Sequence, residues 1–271
     1  MNKLPNPKSF KDHIATFIHT QIEEAITDAE VLQSITKTLQ DYDSHKEQYQ
    51  TFKHPEYKRE ALAIAPLWVW QQATPEAIAL FRKLTTYDYR NNTLVIKINN
   101  YQDELISYKS RRTTLGKWIT AKGTHPNSQC LINVKDNHDH IYVVEGHHDF
   151  LTAVLLDISV VMIPTVSYRA FTEYELSILQ DRDVILIPDY DKTKVNGVEC
   201  MQRLAAQVSD VARNAKVFSL PKFVKSENLY AGSDKLDLSE VVELWNDSLS
   251  AFTSTLEYRA DEGIFYEGEL F

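Results

Sequence analysis

Five carboxylates stand where this sequence could bring them together. The stretch "IYVVEGHHDF", residues 141–150, ends an apolar run on Glu145 and sets Asp149 four residues later. "VILIPDYD", residues 184–191, ends another on Asp189 and Asp191. "KLDLSE", residues 235–240, places Asp237 just ahead of a helix-like run. Hard divalent cations take oxygen ligands, and Mg²⁺ is held by a few carboxylates completed by water and substrate phosphates. Asp189 and Asp191 are two apart, so in extended backbone both project to one side. Gly146 lets the chain turn sharply after Glu145. Such a set suits metal-assisted phosphoryl transfer, with one or two Mg²⁺ (or Mn²⁺) ions stabilising the attacking and leaving oxygens. A DxD alone carries little, because Asp is common in loops. The joint order carries the reading: apolar strand, EGxxD, a further strand, apolar strand, PDxD, another strand, DLSE.

The histidines between these carboxylates invite a transition-metal reading. His147 and His148 are adjacent, however, and do not share a helix face. A tetrahedral zinc site needs three or four N/S ligands at compatible spacing. His138 and His140 fall at the far end of the preceding strand. The histidines are therefore expected to be structural or solvent-exposed. Cys130 and Cys200 form no CxxC pair, so neither a zinc ribbon nor a disulfide framework is read, only reduced thiols.

The elements that must position the carboxylates alternate regularly. Strands are expected at 141–144, 159–163, 183–187 and 215–219. Helices are expected near 148–156, 172–180 and 197–209, and from 238. Residues 222–236 read as a surface loop. Solidly apolar strands such as "VVMI" and "VILI" mark a parallel sheet covered on both faces. In open sheets of this kind the site lies at the carboxyl ends of the strands, where Glu145 and Asp189 fall. Upstream, helical periodicity covers 8–50. Pro55 and Pro75 mark further helix starts. "TLVIKI", "ELISYKSR" and "SQCLIN" read as strands.

Length and composition set the frame. The 271 residues suffice for one large domain or two modest ones, and 43% apolar content implies a packed core. No apolar stretch nears the ~20 residues that span a bilayer. The N-terminus lacks a signal-peptide h-region, so a cytoplasmic location is expected. The net charge of -9 excludes a protein coated in basic surface. Yet residues 109–122 hold Lys109, Arg111, Arg112, Lys117 and Lys122 with no acid among them. That cluster is a phosphate-binding candidate by charge, or else a solvated hairpin face.

"VVEGHHDFLTAV" and "VILIPDYD" resemble the Toprim domain shared by bacterial-type primases, type IA and II topoisomerases and some nucleases. The likeness is to the primase (DnaG-like) branch, and "KLDLSE" is similar to the acidic motif that follows there. It covers about residues 138–246, and "NTLVIKINNYQDELISYKSRR" and "GKWITAKG" extend it upstream. The resemblance implies a Toprim-type parallel sheet flanked by helices. A small mixed α+β subdomain and a helical N-terminal region would precede it. The expected divisions are 1–90 helical, 91–137 basic primase-like, 138–250 Toprim and 251–271 tail. It implies a primase-like nucleotidyltransferase of a phage, plasmid or other mobile element, making phosphodiester bonds from nucleoside triphosphates on single-stranded DNA. A metal-dependent nuclease or a catalytically idle replication accessory protein are the alternatives. Glu145, Asp189 and Asp191 would be catalytic. Those three, Asp237 and Asp149 would hold Mg²⁺ or Mn²⁺. Lys109, Arg111, Arg112, Lys117, Lys122 and Lys192 would contact nucleic acid or nucleotide, and a helicase or initiator would be a separate partner. Two departures stand out. Gly197 falls six residues after Asp191 rather than about three, and Ser239 occupies a position where the family often has a second Asp. The second departure is expected to weaken one metal position.

Overall fold

Apolar runs form the central strands of the main sheet. The computed structural model describes residues 64–88, 93–102, 105–112, 118–120, 130–229 and 234–266. The helices expected over 8–50 lie outside the described residues. Two compact units emerge, one including Arg82–Pro126 and the other comprising Ile64–Phe81 with Asn127–Phe271.

The second unit begins with α1 (Leu67–Gln72) and the greater part of α2 (Pro75–Leu84). Pro75 opens α2 as its fixed φ favours. The first unit holds β1 (Thr85–Asp88), β2 (Thr93–Asn99), β3 (Leu105–Arg112) and β4 (Trp118–Thr120), an antiparallel sheet in sequence order. Leu94, Val95, Ile96, Ile98 and Tyr108 are buried apolar residues of this sheet.

The second unit continues through β5 (Leu131–Asn133), β6 (His140–Glu145), α3 (His147–Leu155), β7 (Val160–Ile163), α4 (Glu173–Leu179) and β8 (Asp183–Ile187). Then come β9 (Tyr190–Asp191), α5 (Asn196–Val208), β10 (Asn214–Val217), α6 (Leu220–Ser226), β11 (Lys235–Leu236), α7 (Leu238–Trp245) and α8 (Leu249–Glu262). The sheet order is β10-β8-β6-β7-β5. All neighbours run parallel except β5, which is antiparallel to β7. The parallel α/β architecture read from the apolar strands is what the structure shows.

Both faces of the sheet's centre are covered, which is why β6, β7 and β8 are apolar runs rather than alternating. Ile141, Val143, Val161, Ile163, Val184 and Leu186 meet Met201, Leu204 and Val208 of α5 and Leu179 of α4. Tyr142, Val144, Val160, Met162, Ile185 and Ile187 are equally buried. Each fully buried side chain of this kind stabilises by about 1.5–3 kcal/mol before entropy is counted. Helix α4 starts with a capping box between Thr172 and Glu175. The buried Glu175 also accepts from the Tyr168 hydroxyl at 2.6 Å and the Cys130 amide at 3.0 Å.

Two stretches differ from expectation. Helix α6 reaches into 222–236; Ser219 caps it, with Pro221 in its first turn. Phe223 packs against Phe218, Trp245 and Phe252. The segment after 250 is largely α8, which buries Phe252, Leu256 and Ala260 on one face. Gly263, at φ 97, ends that helix. The chain then lies along β10. Tyr266 donates its amide to the Val217 carbonyl at 3.0 Å, and Ser219 donates to Ile264 at 3.0 Å. Among the described residues no helix is long and apolar enough to cross a membrane.

Candidate functional site

Strands β6 and β8 are parallel neighbours, with Val144 opposite Ile187. They therefore leave the sheet at the same end, one into Glu145 and the other through Pro188 into Asp189. Gly146, at φ 87, turns the chain away from Glu145 and into α3. Gly197 in the first turn of α5 meets both carboxylate-bearing turns. A Cβ there would sit 2.7 Å from the Asp189 carbonyl oxygen and 3.2 Å from Glu145 Oε2. The longer loop before Gly197 thus still delivers a glycine to the spot where no side chain fits.

Glu145 Oε2 and Asp189 Oδ1 are buried and accept no hydrogen bond. Burial pushes the Glu145 carboxyl up to about 7. Asp189 is pushed up to about 10, first by burial and then by the charges of Asp149, Glu145 and Asp237. Two desolvated acceptors at the ends of neighbouring strands, each without a donor, are costly unless protonated or bound by a cation.

Asp149, in the first turn of α3, is spent differently. It is 2% exposed. Its Oδ1 accepts from the Ser239 amide at 3.0 Å and the Ser239 hydroxyl at 2.6 Å, and its Oδ2 from the Leu238 amide at 3.4 Å. Burial, then the charge of Asp237, raises its carboxyl well above the ordinary range, and the Ser239 bonds pull the other way. Asp237 caps α7, accepting from the Glu240 amide at 2.7 Å. Thr152 donates to the Ile64 carbonyl at 3.0 Å and touches Ser239 Oγ at 3.0 Å.

Asp191 stands apart from this inner rim. Its Oδ1 accepts from the Thr193 amide at 2.9 Å and the Thr193 hydroxyl at 2.7 Å, while Lys235 Nζ lies 3.2 Å from Oδ2. The Thr193 bonds first, and then Lys235, pull it down to about 2. Pairing of β9 with β11 sets Asp191 opposite Lys235. The even spacing of the DxD therefore does not carry its second Asp into the environment of the first.

Among the described residues no three His, Cys, Asp or Glu side chains are grouped as a ready-made metal cage. The bare oxygens of Glu145 and Asp189 nevertheless fit a hard cation. Mg²⁺ is usually bound by one or two carboxylates and finishes its shell with water and phosphate oxygens. An all-carboxylate pair does not suit zinc, which favours nitrogen and sulfur. The histidines have structural places. His147 is buried, and His148 Nε2 lies 3.0 Å from the Ile64 carbonyl. Both cysteines are buried, and burial raises both thiols.

The basic residues divide as well. Lys109 is only 8% exposed, and burial pulls its ammonium down, so it does not belong to a solvated hairpin face. It pairs in register with Ile96 and Thr120. Arg111 is half-buried opposite Trp118, and Arg112 ends β3. Lys192 is exposed, with Asp234 at 3.2 Å. Lys117 and Lys122 lie outside the described residues. Sequence reasoning missed the donor role of Ser239 and the occupation of Asp191 by Thr193 and Lys235. The "DxT" spacing at 191–193 is the one local signal, an Asx-type turn.

No protein-family model matches the sequence, and no curated protein matches it. The fold is similar to a DnaG primase catalytic domain solved bound to ssDNA, at 14% identity and TM-score 0.43, over 92% of this chain and 80% of that one. It is similar to an E. coli primase catalytic core at 13% identity and TM-score 0.42, over 93% and 75%. The primase fragment of the bacteriophage T7 primase-helicase shares 18% identity at TM-score 0.35, over 55% and 62%. These likenesses concern the fold alone.

Proposed function

We propose that this chain is a divalent-metal-dependent, primase-like nucleotidyltransferase that joins nucleoside triphosphates on single-stranded DNA. The observation that carries the reading is the pair of buried, partnerless oxygens, Glu145 Oε2 and Asp189 Oδ1, at the carboxyl ends of adjacent parallel strands. The Toprim-like order of EGxxD, PDxD and DLSE supports it from the sequence.

Glu145 and Asp189 would hold Mg²⁺ or Mn²⁺, and Asp237 adds negative charge beside them. A bound cation supplies charge stabilisation to the attacking and leaving oxygens of phosphoryl transfer. Glu145 and Asp189 would hold such a cation as deprotonated carboxylates, a form that burial disfavours at both until positive charge is present. Gly197 closes the back of the rim and keeps α5 tight against both turns. Asp191, screened by Lys235, is an outer charge rather than a ligand of the same rank. In the first unit, Arg111 and Arg112 of β3, with exposed Lys192 in the second, are the phosphate-contacting candidates. A helicase or initiator protein would act as a separate partner.

A primer-synthesis assay with labelled triphosphates tests the reading. Phosphodiester products are expected with Mg²⁺ or Mn²⁺ on single-stranded template, and none from Asp189→Ala or Glu145→Ala. Nicking of plasmid DNA without triphosphates would replace synthesis by cleavage at the same rim. Absence of both reactions, with no thermal shift on adding Mn²⁺, would leave an idle scaffold.

A further inference from the structure

We infer that Ser239 is a positioning residue which holds Asp149 as a strut between α3 and α7, so that Asp149 fixes the turn that carries Glu145 and is not itself a metal ligand. The inference rests on the metal-binding reading above.

A helix start leaves its first amides without intrahelical partners. In α7 these are divided between two aspartates. Asp237 takes the amide of Glu240 in the usual way, from the N-cap. The amides of Leu238 and Ser239 go instead to Asp149, which lies 89 and 90 residues away in sequence. Ser239 adds its hydroxyl to the same Oδ1, at 2.6 Å the shortest of the three contacts. Asp149 and Ser239 are each 2% exposed, so this junction is closed to solvent.

The junction reaches the rim directly. Asp149 lies in the first turn of α3, which follows Glu145 through Gly146. Both oxygens of Asp149 accept from donors of α7, whereas Glu145 Oε2 and Asp189 Oδ1 stay bare. Thr152, one turn along α3 from Asp149, touches the Ser239 hydroxyl from the other side and is itself anchored on Ile64. Without the Ser239 hydroxyl, Asp149 would keep the two amides but lose its shortest bond. It would then be free to shift, and the start of α3 behind Glu145 with it. Partners that orient a metal's ligands are typically worth 10–100-fold in affinity.

The test uses the full chain and Mn²⁺ alone, with the free-ion paramagnetic resonance signal reporting binding. Ser239→Ala is expected to weaken Mn²⁺ affinity by about tenfold or more. Ser239→Thr, which keeps the hydroxyl, should restore most of it. Thr172→Ala, which removes the cap of α4 away from the rim, should lower the metal-free melting temperature and leave Mn²⁺ affinity unchanged. Unaltered affinity in Ser239→Ala, or an equal loss in Thr172→Ala, overturns the positioning role. Failure of the unsubstituted chain to bind Mn²⁺ overturns the metal reading itself, a separate result.

Discussion

Asp189 and Asp191 are two residues apart and chemically identical, yet they live in opposite worlds. Asp189 is walled in beside Glu145 and Asp149, has a bare oxygen, and is pushed up to about 10. Asp191 sits on a two-residue strand, is served by Thr193 and Lys235, and is pulled down to about 2. The inner rim is a site short of positive charge, and the outer lip already has it. Residue type and spacing alone do not rank ligands. The donors around each carboxylate do.

That contrast can be broken by substitution. Asp189→Ala should lower phosphodiester synthesis at least about a hundredfold, as loss of a preorganised charge commonly does. Asp191→Asn should cost less than about tenfold, since its carboxylate is already satisfied by Thr193 and Lys235. Comparable losses at both positions would dissolve the distinction. Gly197→Ala comes next. Its Cβ would press on the Asp189 carbonyl, and overpacking of this kind typically costs about 1–3 kcal/mol. Chemical denaturation would read the loss, and a reduced Mn²⁺ shift would show that α5 backs the rim.

The two aspartates also predict opposite pH slopes for the metal-free protein. Glu145 and Asp189 have folded values raised above their unfolded ones, so the stability they lend is present below about pH 4 and lost as pH rises. For Glu145 the loss runs up to about 7, and for Asp189 to about 10. Asp191 has a lowered value, so its contribution is present above about pH 4 and lost as pH falls through about 2. Melting curves from pH 5 to 9 should therefore decline without metal and flatten with Mn²⁺ or in Glu145→Gln. A metal-free profile that is flat would remove the inner rim's charge deficit. The smallest effect is expected from Lys235→Ala, which should move the melting midpoint by less than about 2 °C because its bridge to Asp191 is exposed.

Strands β6, β7 and β8 were legible because burial on both faces leaves an unbroken apolar signature, and Glu145 and Asp189 were legible as the first polar residues past it. Asp149 read as a further ligand because sequence shows only its distance from Glu145. Its actual use depends on α7 docking from far along the chain, and Ser239, which read as a missing acid, is the donor that completes it. Gly197 read as displaced, because loop length counts residues and not where the loop returns. Helix α8 was folded into a tail because its Ser and Thr content masks the spacing of Phe252, Leu256 and Ala260. Helix α6 was hidden in a loop by Pro221, which belongs to its first turn.

The residues after α8 carry one more consequence. Strand β10 is an edge of the parallel sheet. Its outward-facing backbone is the kind of surface on which sheets join one another end to end. Phe265 and Tyr266 occupy that margin, with Tyr266 bonded to Val217 and the Phe265 ring 4.6 Å beneath Lys216 Nζ. A chain stopped at residue 250 would keep the carboxylate rim but bare this margin together with the faces of Phe218 and Phe223. Such a fragment should self-associate, and its final residues act as a guard on solubility quite apart from any chemistry.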